Sequence, residues 1–192
     1  AARAAARGAE VELVAGPVSL PTPRGVRRRD VESAAEMQAA LAEALGADLS
    51  RADALVMAAA VADFRPAERA GAKIKKTKRR GAPEPIALAV NPDLIAEIGA
   101  RRAARRAKRP ALVAFALETG GDEAVVAYAK DKLARKKVDL VVANAAHESL
   151  GRADNRVALV TRAGAGPFVA ASKETIADRI LDAVASLLGG RR

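Results

Sequence analysis

Cysteine is absent from the 192 residues. Disulfides, cysteine-ligated zinc and a thiol nucleophile are therefore excluded for this chain. Histidine is almost absent, with His147 the only one, and no serine sits in a nucleophile elbow, so a Ser-His-Asp triad has little support. No histidine and carboxylate pair has metal-ligand spacing, and no metal ligand can be assigned. Aromatic residues make up 2%, so the core must be built from Ala, Val, Leu and Ile. The same scarcity argues against stacking nucleic-acid bases. No apolar run approaches the ~20 residues that cross a bilayer. The opening Ala1-Ala-Arg-Ala-Ala-Ala-Arg-Gly8 lacks a Leu-rich stretch and is interrupted by Arg, unlike a secretory signal. A cytoplasmic setting fits this composition.

What is present is an apolar, basic chain, with 51% hydrophobic residues and a net charge of +10. Disorder is thereby disfavoured. The charge suits nucleic acid, an anionic surface or a small anionic substrate, or it is simply solvated Arg and Lys. A short helix ends at Gly8, and Val11 to Ala15 reads as a strand. Val26 to Val31 reads as another. Ser33-Ala-Ala-Glu36 is a capping box opening a helix that carries Met37, Leu41 and Leu45 on one face.

Ala54 to Val61 is a continuous apolar run, which predicts a central parallel strand buried on both faces. Asp63 to Gly71 reads as a loop. Ile86, Leu88 and Val90 alternate as in a half-buried strand. Asn91-Pro92 is placed to cap and start a helix that runs to about Arg106. Ala111 to Phe115 and Leu140 to Ala143 are further strands, separated by a helix from Glu123 to Lys136. A hairpin over Val157 to Ala170 precedes a last helix, capped by Ser172, that turns Ile176, Ile180, Val184 and Leu187 inward. Strands alternating with helices predict an α/β domain with a mostly parallel sheet and a small antiparallel hairpin extension. Ligands in such sheets sit at the carboxyl ends of the strands.

Several constellations lie near those ends, each with a plain alternative. Met57-Ala-Ala-Ala-Val-Ala-Asp63 ends a strand in small residues and an acid. That pattern suits close approach of a flat ligand to the backbone, or ordinary strand packing. Lys73 and Lys75 share a face if extended, suiting a triphosphate or a solvated edge. Lys132 and Lys136 share a helix face, to hold a phosphate or to meet water. Tyr128-x-x-x-Lys132 has the spacing of an NAD(P)-dependent oxidoreductase, but no Gly-x-Gly-x-x-Gly opens a helix anywhere. A basic nucleic-acid-binding module is the other alternative.

In order along the chain stand Ala9 to Leu20, Ala58-Ala-Ala-Val-Ala-Asp-Phe-Arg-Pro66, Lys73-Ile-Lys-Lys76, Asn91-Pro-Asp-Leu-Ile95, Val113-Ala-Phe-Ala-Leu-Glu-Thr119, Lys132 with Lys136, Asp139-Leu-Val-Val-Ala-Asn144, Asn155 and Ser172-Lys-Glu174. This ordered set resembles the phosphopantothenate–cysteine ligase family and covers almost the whole chain. The resemblance implies a Rossmann-like sheet and an acid–amino-acid ligase of coenzyme A biosynthesis. Such an enzyme joins 4′-phosphopantothenate to cysteine through an acyl-cytidylate made from CTP, with Mg²⁺. It implies that Met57, Ala58, Ala59 and Asp63 contact CTP, and that Lys73 contacts the phosphates and acts in catalysis. Pro92, Asp93, Leu94, Ile95 and Phe115 then line the nucleotide pocket, which Lys132 and Lys136 complete. It further implies a homodimer, with neither membrane nor nucleic acid as partner. Family members begin with a strand, a Gly-rich loop and an Asn-x-Ser-Ser-Gly segment. The expectation is therefore a single nucleotide-binding ligase domain over 1–192, truncated at its start. A flavin-dependent decarboxylase domain is often fused upstream in the family.

Overall fold

The computed structural model describes residues 1–68, 71, 85–145 and 154–189. Lys73, Lys75, Lys76 and His147 lie outside the described residues.

Alanine-rich α1 (Ala2–Ala6) stops at Gly8, which takes the left-handed φ of +84°. β1 (Val11–Ala15) and β2 (Val26–Asp30) pair in parallel as a two-stranded sheet. α2 (Ala34–Leu45) begins as its capping box requires. The Glu36 amide donates to Ser33 Oγ at 3.2 Å, and Glu36 Oε2 accepts from the Glu32 amide at 2.8 Å. Its apolar stripe of Met37, Ala40, Leu41 and Leu45 is buried.

The main sheet contains β3 (Ala54–Met57), β6 (Ala111–Glu118), β7 (Leu140–Ala145), β8 (Asp154–Thr161), β9 (Gly164–Ala165) and β10 (Val169–Ser172). Its order is β10-β8-β7-β6-β3, with β9 on β8. The ladders β3–β6 and β6–β7 are parallel, and those of β8 with β7, β9 and β10 are antiparallel. Between β3 and β6, β4 (Phe64–Pro66) and β5 (Leu88–Val90) form a separate antiparallel pair. This is the mostly parallel α/β architecture with an antiparallel extension that the pattern predicts.

Alternation along β6 sorts the core into two layers. Leu112, Ala114 and Ala116 face a cluster shared with α2, α3 (Leu94–Ala104) and α4 (Asp122–Arg135). Val113 and Phe115 face a second cluster with Ile176, Ile180 and Val184 of α5 (Lys173–Leu187). Leu112, Val113, Leu140 and Val142 are fully buried, each stabilising by about 1.5–3 kcal/mol.

Five local expectations change. The apolar run from Ala54 is a strand only to Met57, and it lies at the sheet edge with Val56 42% exposed. One face covers the core at Leu55 and Met57, while the other touches the second cluster at Ala54 and is left open at Val56. Phe64–Pro66, expected as loop, pairs with β5. Leu88 and Val90 are exposed, not half-buried, because their hairpin is only two strands deep. The cap of α3 is Asp93, which accepts from the Ala96 amide at 3.2 Å, instead of Asn91. Leu187 is 43% exposed, beyond the buried stripe of α5.

Candidate functional site

The parallel strands β3, β6 and β7 end on one side of the main sheet, where Ala58, Ala59 and Ala60 follow Met57. Met57 is half-buried on the core, and the three alanines are exposed. Their methyl side chains leave the backbone open to a flat ligand. Asp63 is exposed three residues further on, just before β4.

Hydrogen bonds to Asn91 fix the turn that carries Asp63. The Asn91 amide donates to the Asp63 carbonyl at 2.8 Å, and Asn91 Nδ2 donates to the Ala62 carbonyl at 2.8 Å. Arg65 Nη1 donates to Asn91 Oδ1 at 3.1 Å and to the Val90 carbonyl at 2.6 Å. Pro92 follows, and then Asp93. Asp93 uses one carboxylate oxygen to cap α3, while the other is 2.8 Å from Lys136 Nζ. Long helical side chains lean toward their helix N-terminus, so Lys132 and Lys136 reach back from the last turn of α4. Both are half-buried.

Lys132 also has the Tyr128 ring 5.6 Å from its ammonium. Burial, and then the neighbouring Lys136 charge, pulls the Lys132 ammonium below the usual lysine range, while Glu118 and Asp93 oppose the shift. The structure therefore brings Asp93, Glu118, Lys132 and Lys136 into one electrostatic group. Two cations beside two carboxylates can accept an anion once Lys136 exchanges its partner.

The other predicted residues divide. Leu94 and Ile95 are each 4% exposed, with side chains in the core, so only their main chain can serve a ligand. Phe115 stands one residue beyond the Met57–Ala114 pair, level with Ala58, but its ring packs in the α5-side cluster. It faces away from the lysines of α4. Lys73 falls outside the described residues. Glu118 and Arg65 lie within the ordered segments, but the residue pattern predicts no role for either. An acid ending a buried strand was the available signal for Glu118. Among the described residues no three His, Cys, Asp or Glu side chains gather as a metal site.

The family described as DNA/pantothenate metabolism flavoprotein C-terminal domain matches residues 1–188. The coenzyme A biosynthesis bifunctional protein CoaBC of Escherichia coli K12 is 45% identical over 144 residues, covering 75% of this chain and 33% of that protein. The protein of the same name from Mycobacterium bovis is 42% identical over 199 residues, covering 97% of this chain and 45% of that one. The chain thus spans between a third and a half of the length of these curated relatives. A crystal structure of the C-terminal domain of a CoaBC protein superposes with a TM-score of 0.73 at 27% identity, covering 98% of this chain and 79% of that one. A Cab2 H337A mutant in complex with phosphopantothenate-cysteine shares the fold at a TM-score of 0.62 and 19% identity, covering 86% of this chain and 55% of that one.

Proposed function

This chain belongs to the DNA/pantothenate metabolism flavoprotein C-terminal domain family, and from that premise we propose that it is the phosphopantothenate–cysteine ligase module of a coenzyme A biosynthesis protein, with CTP as the activating nucleotide. The carrying observation is the pair Lys132 and Lys136, gathered with Asp93 at the start of α3, two residues after the Asn91 that holds Ala62 and Asp63. The name of the bifunctional CoaBC relative, a coenzyme A biosynthesis protein, supports that reading.

The chemistry asks for a carboxylate made reactive, not for an enzymic nucleophile. The acid's carboxylate oxygen attacks the α-phosphorus of CTP, the bond to the β-phosphate oxygen breaks, and pyrophosphate leaves. Cysteine's amine then attacks the acyl carbon, loses a proton to solvent, and CMP departs. In this reading Asp63 holds ribose hydroxyls, and the main chain of Met57, Ala58 and Ala59 reads the base. Backbone groups of Pro92 to Ile95 border it. Lys132 and Lys136 neutralise phosphate oxygens, as electrostatic preorganisation requires. The family resemblance adds Lys73, which lies outside the described residues, as a further phosphate contact with a part in catalysis. Mg²⁺ would accompany the triphosphate, whose oxygens are ligands that it prefers.

CTP with Mg²⁺ is expected to raise the melting temperature, while NADPH and duplex DNA leave it unchanged. Stabilisation by NADPH alone would move the chain to the oxidoreductase reading. Turnover in the full-length protein should collapse in Lys73→Gln, and unchanged turnover removes Lys73 from the mechanism. The sign of the pH effect follows from Lys132. A bound triphosphate favours its charged form, so the complex holds more protons than the free chain. Affinity must then fall as pH rises through the lowered Lys132 range, sooner than an ordinary lysine would dictate. In Lys132→Arg that early fall should vanish, since guanidinium stays charged.

The homodimer finds its surface in the β4–β5 hairpin under this proposal. Phe64, Ile86, Leu88 and Val90 are between 57% and 71% exposed there. So many large apolar side chains on one two-stranded arm suit a second copy. Sedimentation should show a dimer that Leu88→Asp converts to monomer; an unchanged profile sinks this assignment.

A further inference from the structure

The Asp63 carboxylate makes no hydrogen bond or ion pair among the described residues, and the side chain is exposed. Its position is therefore set by its backbone. Ahead of the β4–β5 ladder, Asn91 holds that backbone from across the hairpin. Asn91 gives its amide to the Asp63 carbonyl and its side-chain NH₂ to the Ala62 carbonyl, both at 2.8 Å. Its side-chain oxygen takes Arg65 Nη1, which also holds the Val90 carbonyl next to it. An asparagine has a donor and an acceptor on one short side chain, and both are used on the 62–65 turn.

We propose that Asn91 is a positioning residue, which acts on nucleotide through Asp63. The inference rests on the functional reading above. It gives Asn91, displaced as the α3 cap by Asp93, a role in the site, and it gives a reason for the order Asn91-Pro92-Asp93. Asn91 fixes the Asp63 turn, Pro92 limits backbone rotation between them, and Asp93 caps α3 and holds Lys136 at 2.8 Å. The tripeptide is a spacer between the group that takes ribose and a group that takes phosphate. Aspartate would set a carboxylate against the Ala62 carbonyl. Alanine would lose both side-chain contacts. Glutamine would be one methylene too long.

The test is a double-mutant cycle read by calorimetric titration with CTP and Mg²⁺. Asn91→Ala should weaken binding about tenfold, the scale of one or two lost net hydrogen bonds. Asp63→Ala should weaken it at least as much. The double variant should bind no worse than Asp63→Ala alone, because the route runs through Asp63. Wild-type affinity in Asn91→Ala, or fold-changes that multiply in the double variant, would overturn the proposal. A purely structural asparagine would lower the melting temperature without that non-additivity. A readout without ligand separates this claim from the functional one. Exchange of the residue 91 amide, corrected for its intrinsic rate, should quicken about tenfold in Asn91→Ala while β6 amides keep their protection. Unchanged exchange overturns the geometric claim. A wild-type chain that ignores CTP overturns the functional reading, and the exchange result then decides the geometry alone.

Discussion

Gly99→Ala is expected to destabilise the chain by about 4 kcal/mol or more, at the far end of single-residue effects. A Cβ added at Gly99 would stand 2.1 Å from the Lys136 carbonyl oxygen, 3.2 Å from the Lys136 carbonyl carbon and 3.3 Å from the Lys137 carbonyl oxygen. All three atoms are backbone, so no rotamer change relieves the contact. They belong to the turn that leaves α4, which Lys137 crosses at a left-handed φ of +53°. Moving α3 outward would open the cluster around Ile95 and Ile98, and moving the turn would shift β7. With total stabilities of about 5–15 kcal/mol, such a loss leaves little folded protein. The melting temperature should fall by roughly 10 °C or more. A variant that melts within about 2 °C of wild type refutes the close approach.

Arg102→Met should cost about 3–5 kcal/mol, because it leaves a half-buried carboxylate without its cation. Arg102 lies on α3 with its side chain 7% exposed. It donates to the Pro110 carbonyl at 2.8 Å and to the Lys137 carbonyl at 2.9 Å, and it meets both oxygens of Asp139. Asp139 in turn accepts from the Leu112 amide at 2.8 Å. One ion pair thereby ties α3 to the starts of β6 and β7. Replacing both charges, as in Arg102→Met with Asp139→Leu, should recover part of the loss, since the stranded charge is gone. Urea denaturation of the four proteins measures this. Equal losses in the single and double variants would show that the two carbonyl contacts, not the charge pair, carry the energy.

Composition alone treats Arg102 as one more solvated base on a basic helix. Arg101 and Arg105 differ little from it in sequence, and both only reach the Ala47 carbonyl at the surface. What separates them is the tertiary approach that Gly99 permits, which periodicity does not encode. Elements with strong local signals were legible: the Ser33 box, the β6 and β7 runs, and the Ser172 cap on α5, where the Thr175 amide donates at 3.2 Å. The hairpin of β4 and β5 was half-legible, because alternation reports two unlike faces without saying whether anything covers one. The cap at Asp93 was misplaced by two residues, since Asn91 and Asp93 are equally able caps and the contact with residues 62–65 decides between them. The lysine pair of α4 was visible as i, i+4 spacing. Its meeting with Asp93 and Glu118 joins segments some 40 and 15 residues away, and only the fold brings them together.

The two-stranded β1–β2 sheet and the main sheet differ in how they treat their margins. β2 carries Arg27, Arg28 and Arg29 in succession, so an approaching strand meets charge. β3 consists of Ala54, Leu55, Val56 and Met57, and among the described residues it has a ladder on one side only. Its other margin offers amides and carbonyls at strand spacing, beside an exposed valine. Such a margin is a template for any extended chain, including another copy of itself. The colloidal behaviour of the protein is then a contest between the long-range repulsion of +10 charges and the short-range adhesion of four uncharged residues. Salt screens the first and leaves the second intact, so ionic strength tips the balance toward self-adhesion.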